Sequence, residues 1–169
     1  MSTKELNIPK IYLINDTKGV EINIPAVIGV NTNGFRTMFD DIGMNSAAEH
    51  IINSSEFRVT EETKDMNFVI VKGSNFGFSE LLDIDKLSRK IKTNAGLEKC
   101  SSEDAFWFRL FYQQGVQDKP MWIPVDPSDN KNLTNLFYLN RDEKSKRIDG
   151  LYQAKVMPEW DIVFKKGNK

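Results

Sequence analysis

A chain of 169 residues with one histidine and one cysteine has few routes to acid–base or nucleophilic chemistry. His50 stands beside Glu49, and an imidazole titrating near neutral pH could serve as a general base. Adjacent helix positions diverge by about 100°, however, so the two side chains would not share a target. Cys100 could attack as a thiolate only if a neighbouring base lowered its pKa, and the single histidine is 50 positions away. Glu103 and Asp104 form a carboxylate pair of the kind glycoside hydrolysis uses. That chemistry needs its carboxylates on opposite sides of a cleft, which adjacent residues do not provide. Glu103 therefore reads as an entry or capping residue.

Arg109 is the position with most to offer. Residues 105–114 alternate Phe106, Phe108, Leu110 and Tyr112 with Trp107, Arg109, Phe111 and Gln113, so the period predicts a strand. Aromatic residues on both faces predict that it lies centrally in a sheet. Arg109 would then share a face with Trp107 and Phe111, stacked on a ring and paired with a buried carboxylate or with a ligand. A binding surface built here would use Arg109, Trp107, Glu103, Tyr112 and, from the next strand, Trp122.

Other patterns are weaker. Trp107, Phe111 and Tyr112 suggest a stacking platform for single-stranded nucleic acid, but strand alternation puts Tyr112 on the opposite side. Gly73-Ser-Asn-Phe-Gly77 lacks the Lys-Ser/Thr of a phosphate loop. Asp126, Asp129 and Asn130 lack the closing glutamate of a calcium loop. No cofactor or metal site is expected.

The elements that must position these residues follow from period and punctuation. Residues 10–14 and 20–24 predict a hairpin around Asn15–Gly19, ended by Pro25. Phe35, Met38, Phe39 and Ile42 predict a helix over 34–43 with Gly43 as its cap. Ser46-Ala-Ala-Glu49 predicts a capping box and a two-turn helix to Asn53. Strands are expected at 56–60 and 67–72. A helix N-capped by Asp83, buried through Ile84, Leu87 and Ile91, should stop at Gly96. Residues 120–126, with Pro120 and Pro124, suggest an edge strand. Residues 133–140 and 147–154 suggest a hairpin with a charged tip, and 160–164 the last strand. The expected fold is α+β: a mixed or mainly antiparallel sheet with about three short helices in the first 100 residues, in one domain spanning 1–169.

From Phe35-Arg36 onward the chain resembles a group of short bacterial proteins without an assigned activity. The motifs that carry this are Gly43, Phe68-Val-Ile-Val71, Gly77-Phe78, Gly96-Leu97-Glu98 with Cys100, Glu103, Arg109-Leu110, Tyr112, Trp122, Phe137, Asp149-Gly150, Trp160 and Val163-Phe164. The resemblance covers residues 34–165, leaving the hairpin within 1–30 as an extension. It implies a helical start and a β-rich tail, and no chemistry. A Pro near Ser101 and a shorter, Gly-bearing loop at 141–148 would fit the group better.

Composition narrows the function classes. The chain is 40% hydrophobic with 11 Phe, 3 Trp and 4 Tyr, ample for a core. Its 23 basic and 24 acidic residues leave a net charge of −1, unlike a protein that grips phosphates. Residues 31–66 carry 3 basic and 7 acidic groups (−4), and 131–169 carry 9 and 5 (+4). One cysteine allows no internal disulfide, and the start Met1-Ser-Thr-Lys-Glu-Leu6 lacks a secretion signal, so cytoplasmic residence is expected. The first reading is a non-catalytic binding or accessory protein that meets a protein partner through a surface or a sheet edge. The second is a small enzyme using carboxylates and Arg109. The third is nucleic-acid binding through Lys144, Lys146, Arg147, Lys165 and Lys166, which would have to gather on one face.

Overall fold

The computed structural model describes residues 10–14, 17–25, 30–60, 65–112, 120–127, 134–141, 145–153 and 155–167. In chain order these form β1 (Lys10–Ile14), β2 (Thr17–Ile24), α1 (Thr32–Thr37), β3 (Gly43–Met44), α2 (Ser46–Asn53) and β4 (Met66–Val71). A 3-10 turn (Gly73–Phe76), β5 (Leu82–Asp83), α3 (Ile84–Ala95), β6 (Leu97–Glu98) and α4 (Ser102–Phe111) follow. The last part is β: β7 (Met121–Pro124), β8 (Leu136–Arg141), β9 (Lys146–Leu151), β10 (Lys155–Val156) and β11 (Asp161–Lys166).

The fold is α+β. One mixed sheet runs β1-β2-β4-β11-β7-β8-β9-β3, with β6 also against β11, and β5 pairs β10 in a separate ribbon. Its pairings are antiparallel except β11 with β7 and β3 with β9. The spine is β11, inserted between β4 and β7. Ile162, Val163 and Phe164 are fully buried in succession, as a strand covered on both faces requires.

Alternation along the strands divides the apolar residues between two cores. One face turns Ile22, Ile24, Phe68, Ile70, Ile123, Phe137, Leu139, Ile148 and Val163 toward α1, α2 and α4. The other turns Val69, Val71, Ile162, Phe164 and Leu136 toward α3. In the first core Phe35, Phe39, Phe57, Phe106 and Phe137 are linked by ring contacts with centroids 5.1–5.9 Å apart. Such pairs add about 0.5–1.5 kcal/mol each beyond the area they bury.

Helix α3 follows its sequence signals closely. Asp83 accepts from the amides of Asp85 and Lys86, Ile84, Leu87 and Ile91 are buried, and Gly96 ends the helix at φ +67°. Both expected hairpins form, β1–β2 and β8–β9, but Thr17, Lys18 and Gly19, expected in the first loop, belong to β2 and pair with Ile14, Leu13 and Tyr12. The loop expected at 126–132 lies largely outside the described residues.

Five expectations are corrected. The strand expected at 105–114 does not form over its described residues, 105–112: α4 spans Ser102–Phe111. Its capping box joins Ser101 Oγ to the Asp104 amide at 3.0 Å and Asp104 Oδ2 to the Ser101 amide at 2.8 Å. The helix is buried from Ala105 through Arg109, so packing on every side erases the period that would betray it. Gly43 does not cap a helix. Instead α1 ends at Thr37, and Gly43 pairs with Arg147 in β3. The cap of α2 is Asn45, one residue before Ser46. Residues 56–60 form no strand: side chains hold them, with the Val59 amide on Thr32 Oγ1 at 3.1 Å. Finally, β7 is internal, between β11 and β8. Its prolines bracket Met121–Trp122, the part paired on both sides, and remove no bond there.

Candidate functional site

Helix α4 carries three of the five expected binding residues, Glu103, Trp107 and Arg109, with Tyr112 as its C-cap, and its pitch sorts them differently from a strand. Residues four apart share a helix face, so Trp107 stacks on Phe111 (5.7 Å, 18°) and Phe108 on Tyr112 (4.9 Å, 12°). Arg109 stands about 200° around the axis from Trp107, not beside it. The expected Trp107–Arg109–Phe111 face therefore does not exist.

Arg109 is fully buried. Its guanidinium reaches the carbonyl oxygen of Tyr112 at 3.3 Å and those of Asn140 and Arg147 at 3.5 Å. It thus joins the end of α4 to the β8–β9 hairpin. Trp107 is 6% exposed and rests on Phe35, centroids 4.6 Å apart. Glu103 accepts from the Trp107 indole Nε1 at 3.0 Å, and from the amide and hydroxyl of Thr60 at 3.0 and 2.6 Å. These three side chains brace the first core.

Burial sets the ionisation of the remaining candidates. Cys100 is 2% exposed, and its thiol is pushed well above its ordinary range, first by burial and then by nearby Asp104, against an opposing pull from Lys165. It is held as a thiol, not a nucleophile. Burial, then Asp161, raises the Tyr112 phenol, with Arg109 opposing. Burial works to lower Lys165, but the ion pair and hydrogen bond with Asp104 (3.0 Å) outweigh it and raise its pKa. His50 is exposed on α2. Among the described residues no three His, Cys, Asp or Glu side chains gather closely enough to hold a metal ion.

The basic C-terminal residues divide by strand alternation. Lys165 pairs with Asp104 of α4, while Lys166, the next residue, pairs with Glu21 of β2 at 2.8 Å. Arg147 pairs with Asp149 at 3.1 Å. Those described do not form one bare basic face, and Lys144 lies outside the described residues.

Trp122 has a different setting. It projects from β7 onto the second face, where its ring stacks on Trp160 at 4.0 Å and 3° and meets Tyr138 at 5.0 Å and 43°. Tyr138 is opposite Trp122 on one side and Asp149 on the other. The result is a row across three strands, Trp160·Trp122·Tyr138·Asp149, with Arg147 paired to its last member. Leu136 and Phe164 on the same face are fully covered, yet Trp122, Tyr138 and Trp160 remain half-buried. Tyr138, Trp160, Arg147 and Asp149 were not legible as partners of Trp122. The parallel pairing of β11 with β7 juxtaposes the two indoles across 38 residues, and the only signal was the period-two pattern of each strand taken alone.

No protein-family model, curated protein or solved structure matches the chain. Among the described residues no helix is long and apolar enough to cross a membrane.

Proposed function

We propose that this chain is a non-catalytic binding protein that receives a protein partner on the second face of its sheet, around Trp122, Tyr138 and Trp160. The observation that carries this reading is the half-buried aromatic row with Arg147 and Asp149 at its end. Trp, Tyr and Arg are the residues that dominate binding energy at protein interfaces, where rigid rings bury large areas at low entropic cost. The ladder of β7, β8 and β9 fixes these rings before any partner arrives, which reduces the ordering cost of association. A cytoplasmic setting belongs to the same proposal, since the lone Cys100 is buried and needs no oxidising environment.

Enzymatic and nucleic-acid readings gain less support. The groups with raised pKa values, Cys100, Tyr112 and Lys165, owe them to burial and a structural ion pair rather than to a shared cleft. A cavity of about 540 Å³ beside α3 is lined by Asp85, Arg89, Lys92, Glu98 and Lys99, among others, with Lys99 neutralised by Asp85 at 2.6 Å.

The test is a photo-crosslinking amino acid placed at position 138, and separately at the exposed Lys92, in cells producing the chain. A discrete protein adduct is expected from 138, lost when Trp122 and Trp160 are both changed to Ser. Absence of that adduct, or an equal one from position 92, overturns the reading.

A further inference from the structure

The two edges of the large sheet are finished differently. At the β9 edge, β3 pairs with Arg147 and Ile148. Just beyond, the Asn45 carboxamide accepts from the Gly150 amide at 2.9 Å and donates to the Gly150 carbonyl at 2.8 Å. A side chain there imitates a neighbouring strand and occupies the main-chain groups that a foreign strand would need. The opposite edge is β1, which among the described residues pairs only with β2. Natural edges are usually blunted by Pro, a bulge or charge. β1 carries its one charge at its first residue, Lys10, and Ile11-Tyr12-Leu13-Ile14 after it contains no Pro, Gly or charged residue.

The register identifies which main-chain groups face outward. Ile14 and Thr17 are partners that flank a two-residue connection. In such a hairpin the flanking pair exchanges both hydrogen bonds, so Lys10, Tyr12 and Ile14 direct their main-chain groups to β2. Ile11 and Leu13 direct theirs away from it.

We propose that β1 pairs with β1 of a second copy of this chain, antiparallel about a two-fold axis at Tyr12, joining the two sheets. Every copy carries the same edge, so a two-fold pairing closes without any other component. Centred on Tyr12, it sets Ile11 opposite the partner's Leu13 and Leu13 opposite the partner's Ile11. These are the positions with outward main-chain groups, and the two pairs form about four hydrogen bonds. Lys10 falls opposite the partner's Ile14, so no like charges meet. A second copy meets these groups with the same groups of its own, so the pairing needs no other component. The pairing is independent of the aromatic face, and neither needs the other.

Light scattering on the whole chain across a concentration series tests this. The mass should climb from 19.4 kDa toward twice that value. Leu13→Pro removes an outward N–H that β2 does not use, so it should hold the mass at the monomer value while preserving the circular dichroism spectrum. Tyr12→Cys supplies a second readout. Directly opposed, non-hydrogen-bonded residues lie about 4.5 Å apart at Cα, close enough for a disulfide. Mild oxidation should link Tyr12→Cys into a covalent pair but leave Val20→Cys, exposed on β2, unlinked; the native Cys100 is buried and does not compete. A mass of 19.4 kDa at every concentration overturns the proposal, as does a dimer that persists in folded Leu13→Pro. Should Leu13→Pro fail to fold, the crosslink decides: Val20→Cys linking as readily as Tyr12→Cys also overturns it.

Discussion

Glu103 and Trp107 lie one helical turn apart on α4, and the Glu103 carboxylate accepts the indole N–H at 3.0 Å. The same carboxylate holds the amide and hydroxyl of Thr60, which belongs to a segment without ladder partners. One side chain thus fixes a buried ring and pins the end of this stretch against the helix, while Thr32 Oγ1 holds the adjacent Val59 amide. Hydrogen bonds to a charged acceptor contribute about 1.5–3 kcal/mol. Glu103→Ala should lower unfolding stability by about 2 kcal/mol in urea titrations followed by tryptophan fluorescence, and Glu103→Gln by less. Unchanged stability in Glu103→Ala would show that the clamp contributes nothing.

Asn45 carries a comparable double duty. Its Oδ1 accepts from the Ala48 amide as the cap of α2 and from the Gly150 amide of β9. Its amide group donates to the Gly150 carbonyl. Asn45→Ala should cost about 2 kcal/mol, combining a lost cap with unmet main-chain groups. Asn45→Asp keeps the acceptor but faces the Gly150 carbonyl with a second oxygen, so its thermal midpoint should also fall below wild type. A midpoint in Asn45→Asp equal to that of wild type would show that the Gly150 carbonyl contact is dispensable.

Arg109 tests how the end of α4 is tied to the β8–β9 hairpin. Arg109→Ala empties a fully buried site and leaves three carbonyl oxygens without this donor. A loss of about 3–5 kcal/mol is expected. Arg109→Lys should recover only part of it, because one ammonium cannot reproduce the spread of a guanidinium fork. Chemical denaturation of both variants measures this, and equal stability of Lys and Arg at the site would refute the geometric argument.

Stability should decline on the alkaline side. Cys100, Tyr112 and Lys165 all have folded-state pKa values above their ordinary 9.0, 10.0 and 10.5. A group raised on folding holds its proton more tightly in the native state. Its contribution is therefore complete below the unfolded pKa and lost as pH rises through the folded one. Unfolding free energy should be level approaching pH 9 and fall above it, with Cys100 responsible for the first part of the decline. Cys100→Ala should move the onset toward 10, as measured by denaturation at stepped pH. An onset unmoved in Cys100→Ala would assign the decline to other groups.

Much of the fold can be read from residues that act locally. Asp83, the Ile84–Leu87–Ile91 stripe and Gly96 define α3 through capping, helical period and a left-handed terminus. The Ser101–Asp104 box is equally local and marks the start of α4, against the strand-like alternation that follows it. A run that is apolar in every direction fits a buried helix as well as a central strand, since period is informative only where one side meets water.

The sequence by itself thus determined the α+β class, the strands of both hairpins and the capped helix α3, because capping, turn chemistry and alternation act over a few residues. Only tertiary structure decided that β11 enters the middle of the sheet, that Arg109 ties α4 to β8 and β9, and that Trp122 meets Trp160 and Tyr138. Those relationships depend on which strands pair, and pairing is settled by burying the two cores together, across separations no local pattern encodes.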